Sequence, residues 1–148
     1  MTDLGKDFKK YALSEGISSM NLHYFEKNLV ENSMTPYILE EREMRVTQMD
    51  IFSRLMRDRI LWVAGVVNTQ MSTVVQAQLM YLDSVEKKDI TLHIDSPGGS
   101  VLAGLGMVDV MRYIKSDVQT INTGMADSMG SILLSSRTNG KRASLNFS

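Results

Sequence analysis

Apolar and polar positions fall into two alternating rhythms from about residue 47 onward. Met49, Phe52, Leu55 and Met56 share one helical face, and Thr47 with Asp50 three residues on reads as the helix start. RILWVAG (59–65) is a short apolar run closed by glycine, the pattern of a buried strand. Asn68 or Thr69 then caps a helix in which Met71, Val74, Val75, Leu79 and Leu82 keep helical spacing. ITLHI (90–94) is a second strand, followed by the turn DSPGGS and a helix from Val101 to about Ile114. Asp109, Arg112 and Ser116 mark the wet side of that helix. VQTIN (118–122) is a third strand, and a further helix follows Ser128. Asn139-Gly140 signals a tight turn before KRASLNF, a final strand.

Residues 1–35 follow a different pattern. Leu4, Phe8 and Tyr11 allow at best one short amphipathic helix, and a polar stretch rich in Asn and Ser runs on to Pro36. They are expected to form an arm or extension, with the domain proper over residues 36–148. In that domain, strands alternating with helices across glycine-marked turns predict an α/β fold with largely parallel strands.

Composition narrows the class further. At 148 residues with 43% hydrophobic and 22% charged positions, the chain is one soluble globular domain in size and balance. A net charge of −1 gives no electrostatic reason to expect nucleic acid or an anionic membrane as partner. Without cysteine there is neither disulfide nor thiolate metal site, and two distant histidines, His23 and His93, make no metal site of their own. The first residues lack a signal-peptide apolar run and no window reaches membrane-span length, so the expected location is cytoplasmic. Asn146-Phe147-Ser148 fits a glycosylation sequon with no secretion signal behind it. Twelve methionines read as flexible core filler, or alternatively as an adaptable surface.

In parallel α/β sheets, ligands gather where strands end and helices begin. The two most glycine-marked such turns are DSPGGS (95–100) and TGMADSMG (123–130). Gly98 and Gly99 let peptide N–H groups be approached closely, although PGG alone is also a plain tight turn. Ser128 stands at a helix start with the Met129 N–H beside it, the arrangement of a nucleophile flanked by an oxyanion donor. The surrounding pattern is A-x-S-x-G, and a simple helix cap is the other reading of the same serine.

Taken together, MDIFSRLMRDRILWVAG (49–65), QAQLMYLDSVEKKDITLHIDSPGG (76–99), DSPGGSVLAG (95–104) and TGMADSMGSILL (123–134) resemble the ClpP family, the proteolytic subunits of Clp proteases. The resemblance covers about residues 36–148 and implies a ClpP/crotonase-like fold of mixed, largely parallel strands with flanking helices. It implies Ser128 as nucleophile, Gly98 and Met129 as oxyanion-hole donors, and Gly98, Gly99, Ser100 and Val101 as the backbone that binds substrate as an added strand. It also implies a docking pocket for an unfoldase at His93, Ile121 and Thr123. The family's members cleave unfolded polypeptides inside two stacked seven-membered rings fed by an ATP-driven AAA+ unfoldase. No cofactor is implied for this chain, because ATP is used by the partner and no phosphate-binding loop is present.

The sequence departs from the family in its catalytic base. The family's histidine and aspartate follow the segment matching KRASLNFS, so the chain reads as C-terminally truncated, with an incomplete triad and a doubtful ring assembly. It is therefore expected to be inactive alone. Within the chain, His93, His23 and Lys141 are the candidate substitutes, none of them in the family's position. Asp127 stands where the family has a small residue and is expected to cap the helix through its carboxylate. Asp95 replaces an asparagine and adds negative charge beside the PGG turn. Two other readings stay open: a non-catalytic subunit with a structural or regulatory role in a ring, and a crotonase-type acyl-CoA enzyme.

Overall fold

A computed structural model describes residues 10, 11, 13, 14, 37–42 and 45–148. The arm expected over residues 1–35, with His23, lies outside the described residues apart from a few helical positions among 10–14. The chain forms two compact units, divided between Asp58 and Arg59.

In the first unit, strands β1 (Tyr37–Arg42) and β2 (Arg45–Asp50) pair antiparallel, with Tyr37 opposite Asp50 and Arg42 opposite Arg45. Helix α1 (Ile51–Arg57) follows directly. Its cap is Asp50, whose carboxylate accepts the Ser53 N–H at 3.0 Å. Thr47, read above as the helix start, instead lies within β2. The carboxylate that reaches an unpaired N–H of the first turn sets the boundary, and Asp50 is the residue one turn closer.

The second unit alternates strand and helix: β3 (Ile60–Ala64), α2 (Thr69–Val85), β4 (Ile90–Ser96), α3 (Val101–Tyr113), β5 (Val118–Ala126), α4 (Met129–Ser135) and β6 (Arg142–Ser144). The sheet order is β3-β4-β5-β6, and every neighbouring pair is parallel. Side-chain parity divides the sheet into two faces. Leu61, Val63, Ile90, Leu92, Ile94, Val118 and Thr120 point to one face and are almost wholly buried. Leu79 of α2, Met107 of α3 and Leu133 of α4 are also fully buried, as the core of a helix-covered sheet face requires. Each such side chain contributes about 1.5–3 kcal/mol relative to exposure. Trp62, Thr91, His93, Gln119 and Ile121 point to the opposite face and are half-buried. Among the described residues no helix is long and apolar enough to cross a membrane.

The amino ends of the strands are fastened by a polar network that the hydrophobic pattern does not show. Arg59, at φ 63°, donates through its guanidinium to the carbonyls of Leu82 (3.1 Å), Lys88 (2.8 Å) and Asp89 (3.0 Å). It thereby takes up carbonyls at and beyond the last turn of α2, which a helix leaves unpaired. Asp83 accepts from Ser116 N (2.8 Å), Ser116 Oγ (2.8 Å) and Lys115 N (3.1 Å), and pairs with Lys87 at 2.7 Å. Ser116 is thus 5% exposed rather than on the wet side, because its hydroxyl and amide are turned to Asp83. Lys141 bridges Asp89 (2.6 Å) and Asp117 (2.9 Å), the residues that precede β4 and β5.

Burial works against charge on Asp83, but the hydrogen bonds from Lys87 and Ser116 outweigh it and hold its pKa at about 2. The folded value lies below that of an unfolded aspartate, so the carboxylate's stabilisation is complete above about pH 4. It is lost as pH falls through about 2. Asp83→Asn is expected to lower stability at neutral pH by about 1–2 kcal/mol, a figure reduced for the partly solvated Lys87 pair. Urea midpoints of parent and variant should converge as the pH is lowered from about 4 towards 2.

Candidate active site

The two glycine-marked turns meet at the carboxyl ends of β4 and β5. Ile94 pairs with Asn122 but Ser96 pairs with Ala126, so β5 bulges between Asn122 and Ala126. The bulge is held by Asp95, whose carboxylate accepts the Met125 N–H at 3.0 Å. Gly124 makes room for it, since a Cβ there would lie 2.7 Å from the Asp95 carboxyl carbon. The extra charge expected beside the PGG turn is therefore engaged with β5. Thr123 donates its hydroxyl to the Ile94 carbonyl at 3.2 Å in the same irregularity.

The bulged strand delivers the chain into a tight turn from Asp127 to Gly130, closed by Gly130 N–H to the Asp127 carbonyl at 2.7 Å. Ser128 occupies it at φ 49° and ψ −118°, a conformation that costs a non-glycine residue about 1–3 kcal/mol. It is exposed and stands at the N-cap position of α4, but its hydroxyl makes no cap bond to the helix. Asp127 holds the turn through its backbone, with its N–H on the Ser96 carbonyl at 3.0 Å. Its carboxylate makes no hydrogen bond among the described residues, contrary to the expected side-chain cap, and it faces solvent. Met129 is buried against α3, where only a glycine fits at position 104: a Cβ there would overlap the Met129 side chain.

The PGG turn lies directly against this serine. A Cβ on Gly98 (φ +90°) would come within 2.7 Å of the Ser128 Cβ and 2.9 Å of the Met129 nitrogen. On its other side the turn extends the sheet through a parallel bridge between Val67 and Gly99. Val67 N–H donates to the Gly98 carbonyl and Ser100 N–H to the Val67 carbonyl, both at 2.8 Å. In such a bridge the N–H and C=O of the middle residue, Gly99, point to the opposite edge. The Gly98 N–H is engaged elsewhere: it donates to Ser96 Oγ at 3.0 Å. Among the described residues, the N–H groups of Gly99 and Met129 have no hydrogen-bond partner. Ser100 caps α3 through its hydroxyl, accepting from Ala103 N–H at 3.3 Å, and Val101 opens the helix with its side chain 60% exposed.

Neither described candidate base reaches this point. His93 lies mid-strand on the half-buried face, stacked on Trp62 with centroids 4.8 Å apart, and burial lowers its pKa. Its register partners are Trp62 and Ile121, so the structure brings His93 and Ile121 together as neighbours. Trp62, which sequence reasoning passed over, completes that row, and its alternation within ILWVA was the available signal. Lys141 sits at the amino ends of the strands, opposite to Ser128, and its pairing with Asp117 and Asp89 raises its pKa. A lysine held charged cannot accept a proton. No cluster of metal-ligating side chains occurs among the described residues.

Two glycines separate backbone preference from space. Gly65 (φ +81°) has nothing within 4 Å of a built Cβ, so Gly65→Ala is expected to cost only about 1 kcal/mol. Gly98→Ala adds overlap with Ser128 and the Asp127 carbonyl, and is expected to cost about 3 kcal/mol or more, read from denaturation midpoints.

Residues 41–148 match the family model described as Clp protease. Over 141 residues, 94% of this chain, it is 51% identical to an ATP-dependent Clp protease proteolytic subunit of Bacteroides fragilis (strain YCH46). The corresponding subunits of Bacteroides thetaiotaomicron and Porphyromonas gingivalis are 51% and 48% identical over the same length. The chain spans about 64% of the length of these relatives. With a parallel α/β sheet carrying a strained serine against a PGG turn, and a family match over most of its length, the chain belongs to the Clp protease family.

Proposed function

We propose that this chain supplies the nucleophile and oxyanion hole of a Clp-type serine endopeptidase acting on unfolded polypeptides. The observation that carries the reading is Ser128: exposed, held at φ 49°, and set between the Gly99 and Met129 N–H groups, neither of which has a partner among the described residues. A hydroxyl presented on such a strand-to-helix turn is the geometry of acyl transfer. Ser128 Oγ attacks a peptide carbonyl, and the tetrahedral oxyanion is received by Met129 N–H together with Gly99 N–H rather than Gly98 N–H. The amine leaves with a proton, and water then releases the acyl-enzyme. An extended substrate lies along the free edge of Gly99, pairing with its N–H and C=O as an added strand.

The proton from Ser128 must pass to a group other than His93 or Lys141, as their places in the sheet require. Among the described residues, peptide turnover is therefore expected to be slow unless another group takes that proton. Oxyanion stabilisation without a complete triad still accelerates acyl transfer on the order of 10³-fold over water. In the same reading, an ATP-driven unfoldase delivers the polypeptide and docks at His93 and Ile121, with Thr123 further along β5, and the subunit works within a ring.

Intact mass after incubation with a fluorophosphonate tests the nucleophile. A slow single adduct is expected on the parent and none on Ser128→Ala. A folded parent that gains no adduct would overturn the catalytic reading. It would favour the second one, a non-catalytic ring subunit, which the placement of His93 and Lys141 away from Ser128 supports.

A further inference from the structure

β4 alternates buried and half-buried or exposed side chains, and parity puts its last residue, Ser96, on the helix-covered face beside Leu92 and Ile94. Ser96 is 0% exposed, a hydroxyl in a position the pattern reserves for an apolar side chain. A buried hydroxyl requires partners. Ser96 Oγ donates to the Gly65 carbonyl at 2.6 Å and accepts the Gly98 N–H at 3.0 Å. Its backbone carbonyl accepts the Asp127 N–H at 3.0 Å, one residue before the nucleophile. Gly130 leaves that carbonyl uncovered, since a Cβ there would lie 2.9 Å from it. The loop after β3, the PGG turn and the turn before α4 are thus each bonded to this one residue.

We propose that Ser96 is the positioning residue of the oxyanion hole. By occupying the Gly98 N–H and anchoring Gly65, its hydroxyl fixes the Gly98–Gly99 peptide so that the Gly99 N–H faces the reacting carbonyl together with Met129. The inference deepens the catalytic reading above and rests on it. Ser96 does not touch substrate; it acts through Gly98. Its bonds use one donor and one acceptor, so a side chain of equal size without both would leave the Gly65 carbonyl and the Gly98 N–H unpaired in a buried site.

The test uses the full chain in three forms: parent, Ser96→Ala and Ser96→Cys, each checked for a cooperative melt. Amide hydrogen exchange should show Gly98 protected in the parent and at least about 10-fold faster in Ser96→Ala, with Ile94 and Ile121 unchanged. The fluorophosphonate adduct on Ser128 should form at least about 10-fold more slowly in folded Ser96→Ala, given that loss of a whole donor costs about 10²–10³. Ser96→Cys, similar in shape with a weaker donor and acceptor, should fall between the two. Equal Gly98 exchange in parent and Ser96→Ala, or equal adduct rates in the two folded proteins, would overturn the proposal. So would a cysteine variant indistinguishable from the parent, since shape alone would then suffice. A parent that forms no adduct would instead overturn the catalytic reading, and Gly98 exchange would then decide by itself whether Ser96 fixes the turn.

Discussion

The structure depends on the double pairing of β4. This strand is hydrogen-bonded in parallel to β3 on one edge and to β5 on the other, so its register fixes both neighbours. Because side chains alternate strictly, one register sends Ile90, Leu92, Ile94 and Ser96 into the covered face and turns Thr91 and His93 to the other. A slip of one residue would exchange the two sets, burying the histidine and expelling the core. The core therefore sets the register, and the register in turn places the end of β4 against the end of β5.

The opposite ends of the strands serve a different purpose. There Arg59, Asp83, Ser116 and Lys141 bind carbonyls, amides and carboxylates around the starts of β4 and β5. The carboxyl ends carry the candidate site, with the irregular features: the β5 bulge, the positive φ of Gly98 and Gly99, and Ser128. Regular parallel pairing between the two ends lets one be rigidly fastened while the other holds strained backbone. Local strain of this kind persists only where surrounding structure over-determines it.

Much of this order was legible in the sequence. The strands at 59–65, 90–94 and 118–122, a helix start at Asn68 or Thr69 and the two turns follow from apolar periodicity, cap residues and glycine placement, and the structure puts the cap at Asn68. The pairing of β1 with β2 was not foreseen, because YILEER and RVTQMD mix charge with apolar residues and lack a glycine turn signal. The continuation of β5 through TGMA was hidden by glycine, which reads as a strand end although here it makes room for the Asp95 carboxylate. Within the candidate site, the sequence pointed to Ser128 and Met129, and the family resemblance implied the Gly98 N–H, which here is bonded to Ser96 Oγ while the Gly99 N–H has no partner among the described residues. That depends on the hydroxyl of Ser96, and a serine at a strand's end carries no pattern of its own beyond its parity.

The backbone at position 128 has a broader consequence. At φ 49° and ψ −118°, glycine would sit with little penalty, whereas serine holds a conformation about 1–3 kcal/mol above its preferred ones. A position chosen only to turn the chain would be better filled by glycine, and the protein would be the more stable for it. Serine there forgoes stability for an oxygen atom, as the proposed nucleophile requires, and the turn is the means of presenting that atom.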